Sequence, residues 1–336
     1  MRKWFAILLV LVLTGLAAAW LAYVDLQRYA ATPAENGGHG DTRIVTVAKG
    51  QNFGRTTHLL HAHHLIKHPF KFRLLARLQG KDKQIQAGEY LLSAAMSPAD
   101  ILEALVNGKV RLYRFTVPEG SNLKQIAAIV ETAGLVSQAE FLGAAADSGF
   151  AGAKGIDAAT FEGYLFPDTY FFPKNAPARE IIAVMVDRLR SEVSPAWEKR
   201  AADIGLSVHQ VLTLASIIEK ETGAAVERPI ISSVFHNRLR RGMRLETDPT
   251  VIYGIENFDG NLTRKNLTTP TPYNTYLISG LPPGPIASPG RAAIEAALYP
   301  ADTPYLYFVS KKDGTHQFSK TLADHNRAIV TYQLKK

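Results

Sequence analysis

Carboxyl groups are the first candidates for chemistry in this chain. Glu219 and Glu221 lie in the stretch S-V-H-Q-V-L-T-L-A-S-I-I-E-K-E-T-G, residues 207–223. The stretch predicts a helix, because Ser207 followed by Gln210 is a capping-box pattern and Gly223 is a stop signal. At about 100° per residue, Val208, Val211, Leu212, Ala215 and Ile218 share one apolar face. Glu219 falls at the edge of that stripe, within about 40° of Val208, Leu212 and Ala215. Glu221 points about 160° away from Glu219 and is expected to be solvated. On that geometry the two glutamates do not form a catalytic pair. A carboxyl group against apolar residues has its charged form disfavoured, so its pKa rises and it can donate a proton near neutral pH. Glu219 is therefore the candidate general acid. The plain alternative is a glutamate at a helix edge that reaches out to water.

The surrounding elements must position that helix. Residues 178–202 predict a long amphipathic helix interrupted near Pro195, and Arg228 to Arg241 predicts a basic one. Between 242 and 254 the chain is rich in turn residues. P-T-P-Y-N-T-Y (270–276) and G-L-P-P-G-P-I-A-S-P-G (280–290) are stiff and irregular, suited to the walls of a groove. F-E-G-Y-L-F-P-D-T-Y-F-F-P (161–173) is dense in aromatics, which belong either to core packing or to sugar stacking. Ser288-Pro289 opens a further helix, a hairpin turns through K-K-D-G, and residues 320–334 predict a closing helix. Upstream, strands at 43–47, 84–92 and 112–117 alternate with helices at 52–64, 70–78 and 97–108, a small α+β unit. Helices at 121–134 and from Ser137 follow it. His64 and His68 in the small unit have the i, i+4 spacing of zinc ligands. No carboxylate or cysteine stands nearby to complete such a site, so a basic helix face is the expectation.

Composition narrows the function classes. The 336 residues are 46% hydrophobic and 20% charged, ample for two globular domains. The formal net charge is +8, which suits an anionic partner such as a membrane surface or an acidic wall polymer. No nucleic-acid motif accompanies it, and nucleic acid is not expected as a partner. Cysteine is absent, which excludes disulfides, thiol catalysis and cysteine metal sites.

The N-terminus is expected to cross a membrane. Residues 4–24 carry no charge and as a helix span about 31 Å, the thickness of a hydrocarbon core. Trp4, Trp20 and Tyr23 sit at its ends like interface anchors, and Arg2 and Lys3 keep residues 1–3 inside. The rival is a cleaved signal peptide with Ala17-Ala18-Ala19 as its site. The apolar run continues past those alanines, which favours an uncleaved anchor. Residues 25–42 read as a polar linker.

Several stretches taken together resemble the endolytic murein transglycosylases, a YceG-like family of membrane-anchored enzymes that cut nascent peptidoglycan. They are E-G-Y-L-F-P-D-T-Y (162–170), L-A-S-I-I-E-K-E-T (214–222), N-R-L-R-R-G-M-R-L-E-T-D-P-T-V-I-Y-G (237–254), T-P-Y-N-T-Y (271–276) and G-L-P-P-G-P-I-A-S-P-G (280–290). P-Y-L-Y-F-V (304–309) and H-Q-F-S-K-T-L-A-D-H-N (316–326) extend the resemblance. It implies an α+β protein with an N-terminal transmembrane helix, a small LysM-like glycan-binding subdomain at 43–117 and a larger mixed α/β catalytic domain at 118–336. It implies that Glu219, the first glutamate of A-S-I-I-E-K-E, is the catalytic acid. The implied reaction cleaves the MurNAc–GlcNAc bond within glycan strands, leaves 1,6-anhydroMurNAc ends and terminates chain elongation. The implied partners are glycan strands, the inner membrane and penicillin-binding synthases, with the catalytic domain on the periplasmic side.

This chemistry needs neither metal nor cofactor. Ordinary glycosidases use two carboxyl groups, whereas a lytic transglycosylase manages with one because the substrate's own C6 hydroxyl is the nucleophile. Glu162, Asp248 and Asn274 are candidates for a supporting shell, and Tyr253, Tyr273 and Tyr276 for stacking on sugar. Two other readings remain. One is a non-catalytic, membrane-tethered peptidoglycan-binding scaffold. The other is a hydrolase, for which Asp248 is the candidate second carboxylate.

Overall fold

The computed structural model describes residues 2–35 and 41–334. The chain divides between Tyr113 and Arg114 into two compact units.

The first unit opens with helix α1 (Arg2–Ala31). Its apolar part is long enough to cross a membrane, and its side chains there are exposed. The helix does not stop where the apolar run ends. Leu26 and Ala30 are buried in the core of the small unit, and Asp25 pairs with Lys71 at 2.6 Å. Residues 25–31 are thus helix rather than the expected linker, because Leu26 and Ala30 share a helical face that has a core to enter. Residues 36–40 of that linker lie outside the described residues.

Strand β1 (Thr42–Val47) follows, then α2 (Phe53–Ala62), α3 (Pro69–Leu78), β2 (Gly88–Ser93) and α4 (Pro98–Val106). β1 and β2 pair antiparallel, with Ile44 opposite Leu91. Alternation places Val45, Val47, Tyr90 and Leu92 inward against Leu60, Phe72, Leu75 and Ile101, all buried. The expected histidine face is broken. His63 caps the end of α2, His64 has a left-handed φ of 55° and His68 caps the start of α3. His64 and His68 are therefore not one turn apart on a helix.

Strand β3 (Leu112–Thr116) spans the division, and the second unit continues with α5 (Leu123–Thr132), α6 (Gln138–Ala145), α7 (Ser148–Ala153) and β4 (Thr169–Pro173). β3 pairs with β4, and the division expected after residue 117 falls instead within this strand. A strand's pattern reveals its existence but not its partner. Helices α8 (Ala178–Glu192), α9 (Pro195–Asp203), α10 (Val208–Glu221) and α11 (Arg228–Arg240) follow. Two short helices lie in stretches read as irregular or unassigned, α12 (Asp248–Tyr253) and α13 (Arg264–Thr268). The chain closes with α14 (Arg291–Leu298), the hairpin β5 (Tyr307–Ser310) and β6 (His316–Ser319), and α15 (Leu322–Ile329).

Helix α10 is the axis of this unit. Every residue from Val211 to Ile218 is buried, so the helix is enclosed rather than apolar on one stripe. It packs on α14, α11, α12 and α9. Its predicted capping box is formed, with Ser207 and Gln210 satisfying each other's backbone N–H groups.

Candidate active site

Enclosing a helix fixes the loops that touch it. Three hydrogen bonds run along α10 to the proline-rich loop. His209 Nε2 meets the Pro283 carbonyl at 2.8 Å, the Ile286 N–H donates to Ser216 Oγ at 3.0 Å, and the Gly290 N–H donates to Glu219 Oε2 at 3.0 Å. The loop therefore lies along the helix and ends on the candidate acid. His209 also meets the Tyr164 hydroxyl at 2.7 Å, which ties the E-G-Y-L stretch to the same face. Gly163 makes this approach possible. Its φ is +80°, and a Cβ built there would lie 2.2 Å from Pro285 Cβ.

Glu219 is withdrawn from water, with its side chain 8% exposed. Arg228 Nη2 donates to its Oε1 at 3.2 Å, and Arg228 is itself 14% exposed. Burial pushes the Glu219 pKa above the usual carboxylate value. The Gly290 N–H and the Arg228 charge oppose that rise, and the charge of Glu119 adds to it. Glu119 packs against Gly290 so closely that a Cβ on Gly290 would lie 1.9 Å from Glu119 Oε1. A second carboxylate is thus beside Glu219, and it is Glu119.

A cavity of about 610 Å³ opens next to this group. Gly120, Lys220, Glu162, Tyr253 and Ile286 are among its walls. A Cβ on Gly120 would stand 3.6 Å from Glu219 Cγ, so the acid lies just behind the glycine that lines the cavity. Two carboxyl groups stand in the wall itself, the exposed Glu256 and the buried Glu162. Glu162 is 6% exposed and accepts from the Leu123 N–H at 3.2 Å and the Tyr253 hydroxyl at 3.1 Å. Leu123 begins α5, so Glu162 caps the positive end of a helix. Burial still dominates and pushes its pKa up to about 7.

The remaining expected residues separate into groups. Tyr253 and Glu162 are brought together in the cavity wall, and Tyr273 meets Tyr253 edge to face at 4.7 Å. Asp248 accepts from the Tyr276 hydroxyl at 2.7 Å and acts on Glu221, not on Glu219. This removes the reason for naming Asp248 as the second carboxylate. Glu221 is not solvated as expected. Its carboxyl group accepts from Thr247 Oγ1, and burial pushes its pKa up to about 7, with Asp248 adding to the rise and His316 opposing it. The helical wheel gave its direction correctly, but α12 and the segment before it cover that direction. Asn274 is fully buried. Its Nδ2 donates to the carbonyls of Asn266, Leu267 and Thr269, and its Oδ1 accepts from the Tyr276 N–H at 3.0 Å. That amide is consumed in shaping its own loop and has no donor left for a sugar.

The family model described as the YceG-like family matches residues 45–331. The chain belongs to the YceG-like family. A Bacillus subtilis protein named endolytic murein transglycosylase is 34% identical over 86% of this chain and 84% of its own length. A protein of the same name from Streptococcus pneumoniae is 28% identical over 86% of this chain, which spans 58% of that longer relative. A crystal structure of a YceG-like protein from Listeria monocytogenes is 34% identical, with a TM-score of 0.59 over 86% of this chain and 99% of that one.

Within this family member, three site residues escaped the sequence reading: Glu119, Arg228 and Gly290. Arg228 lies nine positions after Glu219, too far for a helix-face argument once α10 has ended. Glu119 sits in V-P-E-G, a turn-like tetrapeptide with no periodicity to read. Gly290 acts through its backbone N–H, which no residue type advertises.

Proposed function

We propose that this chain is an endolytic peptidoglycan transglycosylase, with Glu219 as its single acid–base group. The observation that carries the reading is the setting of Glu219. It is a buried carboxyl group with a raised pKa, beside a cavity, on a rigid helix, with Arg228 and a backbone N–H on its two oxygens. The relatives' name supports the substrate. Glu219 gives its proton to the bridging oxygen of a MurNAc–GlcNAc bond, and the bond to the anomeric carbon breaks. The C6 hydroxyl of the same muramic residue attacks that carbon, and its proton returns to the carboxylate. Atoms balance without water, and the product is a 1,6-anhydro end. Between the two transfers Arg228 and the Gly290 N–H stabilise the anionic carboxylate. Cleavage within nascent strands would stop their elongation beside penicillin-binding synthases.

The same reading makes α1 an uncleaved inner-membrane anchor with both compact units on the periplasmic side. Its support is the continuity of α1 into the small unit, where Leu26 and Ala30 are core residues. The β-α-α-β order of residues 42–93 supports a LysM-like glycan-binding role for that unit.

The placement of Glu119 favours one rival, a two-carboxylate hydrolase. Mass spectrometry of glycan strands digested by the full chain in detergent separates the two. Anhydromuramic ends from internal cuts, reduced about 10²-fold or more in Glu219→Gln, support the transglycosylase. Reducing ends lost in both Glu219→Gln and Glu119→Gln overturn it in favour of the hydrolase. Retained binding with no cleavage by the wild type points to the scaffold.

A further inference from the structure

Helix α3 exposes what a helix in a globular unit usually buries. Phe70, Leu74 and Leu78 recur every four residues, so they form one stripe along it. They are 71%, 37% and 65% exposed, while Phe72, Leu75 and Ala76 on the other side fill the core. Arg73 and Arg77 flank the stripe on one side and Lys71 on the other. A shallow groove of about 420 Å³ runs beside Phe70 and Leu74, with Arg73, Arg77 and Asp82 also in its walls.

The position of α3 selects the occupant. Tyr29 donates to the His68 carbonyl at 3.2 Å, and Asp25 pairs with Lys71 at 2.6 Å. Residues 25–29 come directly after the uncharged run 4–24, so α3 begins one helical turn beyond the membrane-crossing segment. Trp20 and Tyr23, with ring centroids 6.1 Å apart, mark the interface at that end. Lys67 adds a further cation to a second pocket there, which Arg28 and Lys71 also line. A glycan surface would match the cations but not an exposed Phe-Leu-Leu stripe. A bilayer interface matches both, because apolar side chains enter the acyl boundary while long cationic ones reach headgroups.

We propose that α3 is a second membrane contact, lying in the interface of the anionic leaflet from which α1 emerges. Its apolar stripe enters that leaflet, and Arg73 and Arg77 bind headgroup phosphates. The proposal rests on reading α1 as an anchor. Two contacts would fix the small unit's tilt on the bilayer where one helix leaves it free to swing.

The chain has no cysteine, so single cysteines can carry a spin label. Labels at Leu13→Cys in α1, Leu78→Cys in α3 and Leu91→Cys on the outer face of β2 are compared in full-length protein in nanodiscs. Accessibility to oxygen and to a water-soluble nickel chelate is read with phosphatidylglycerol present and with phosphatidylcholine alone. The expected result is an oxygen-to-nickel ratio at position 78 several-fold above that at 91 in the anionic discs. It should fall towards the value at 91 in phosphatidylcholine or when R73Q and R77Q are combined. Equal ratios at 78 and 91 in anionic discs, with position 13 still lipid-buried, overturn the α3 contact and leave the anchor standing. Nickel access at position 13 overturns both. Shielding at 78 that is undiminished in neutral lipid, or that grows with protein per disc, also overturns the proposal, the latter in favour of a second copy.

Discussion

The Gly290 N–H donates to Glu219 Oε2 at 3.0 Å across 71 residues of sequence. That bond joins the end of the proline-rich loop to the end of the central helix. On the other side of Gly290 lies Glu119, so one glycine separates two carboxylates. The candidate acid therefore feels a cation, an N–H dipole and a like charge together with its burial.

The opposing charges should be separable by pH. Arg228 holds the Glu219 pKa down and Glu119 holds it up. Removing the cation in Arg228→Gln should move the alkaline limb of kcat/KM to higher pH. Removing the like charge in Glu119→Gln should move it lower. Limbs that do not move, or that move in the same direction, would sink the assignment of Glu219 as the titrating acid.

Asn274 offers a stability test. Replacing it by alanine leaves the carbonyls of Asn266, Leu267 and Thr269 without their donor. The expected cost is about 2–4 kcal/mol, read from chemical denaturation. A loss of glycan binding at unchanged stability would instead give Asn274 a direct substrate contact.

Gly163 tests the approach of the loop. Gly163→Ala places a Cβ 2.2 Å from Pro285 Cβ at a φ of +80°. Strain at such a backbone costs about 1–3 kcal/mol, and the clash must push the loop away from α10. Activity should fall together with melting temperature. A variant as active and stable as wild type would show that the loop is not held against the E-G-Y-L stretch.

Glu162 and Glu221 should make stability depend on pH. Each has its pKa raised from the usual 4.5 to about 7. The fold then binds their protons more tightly than the unfolded chain does. Their stabilising contribution is complete below about pH 4.5 and is lost as pH climbs through 7. Between pH 5 and pH 8 the wild type should lose more melting temperature than Glu221→Gln, which has no proton to lose there. Parallel curves for the two proteins would count against a buried, protonated Glu221.

Much of this protein follows from short windows of sequence. The bounds and capping box of α10, the break near Pro195 and the β5–β6 hairpin rest on periodicity, caps and turns. These are encoded within about fifteen residues. The edge position of Glu219 is of the same kind. Tertiary structure decided the rest, because each remaining feature depends on which distant segment arrives. The wheel placed Glu221 away from the apolar stripe, but Thr247 and Asp248 come to cover it. The alternation in β3 marked a strand, but only folding chose β4 as its partner. Asp248 had the right chemistry for a second carboxylate, and Glu119 has the place. Local propensity belongs to the chain within a turn or two. Burial and electrostatic environment belong to neighbours that long-range packing supplies.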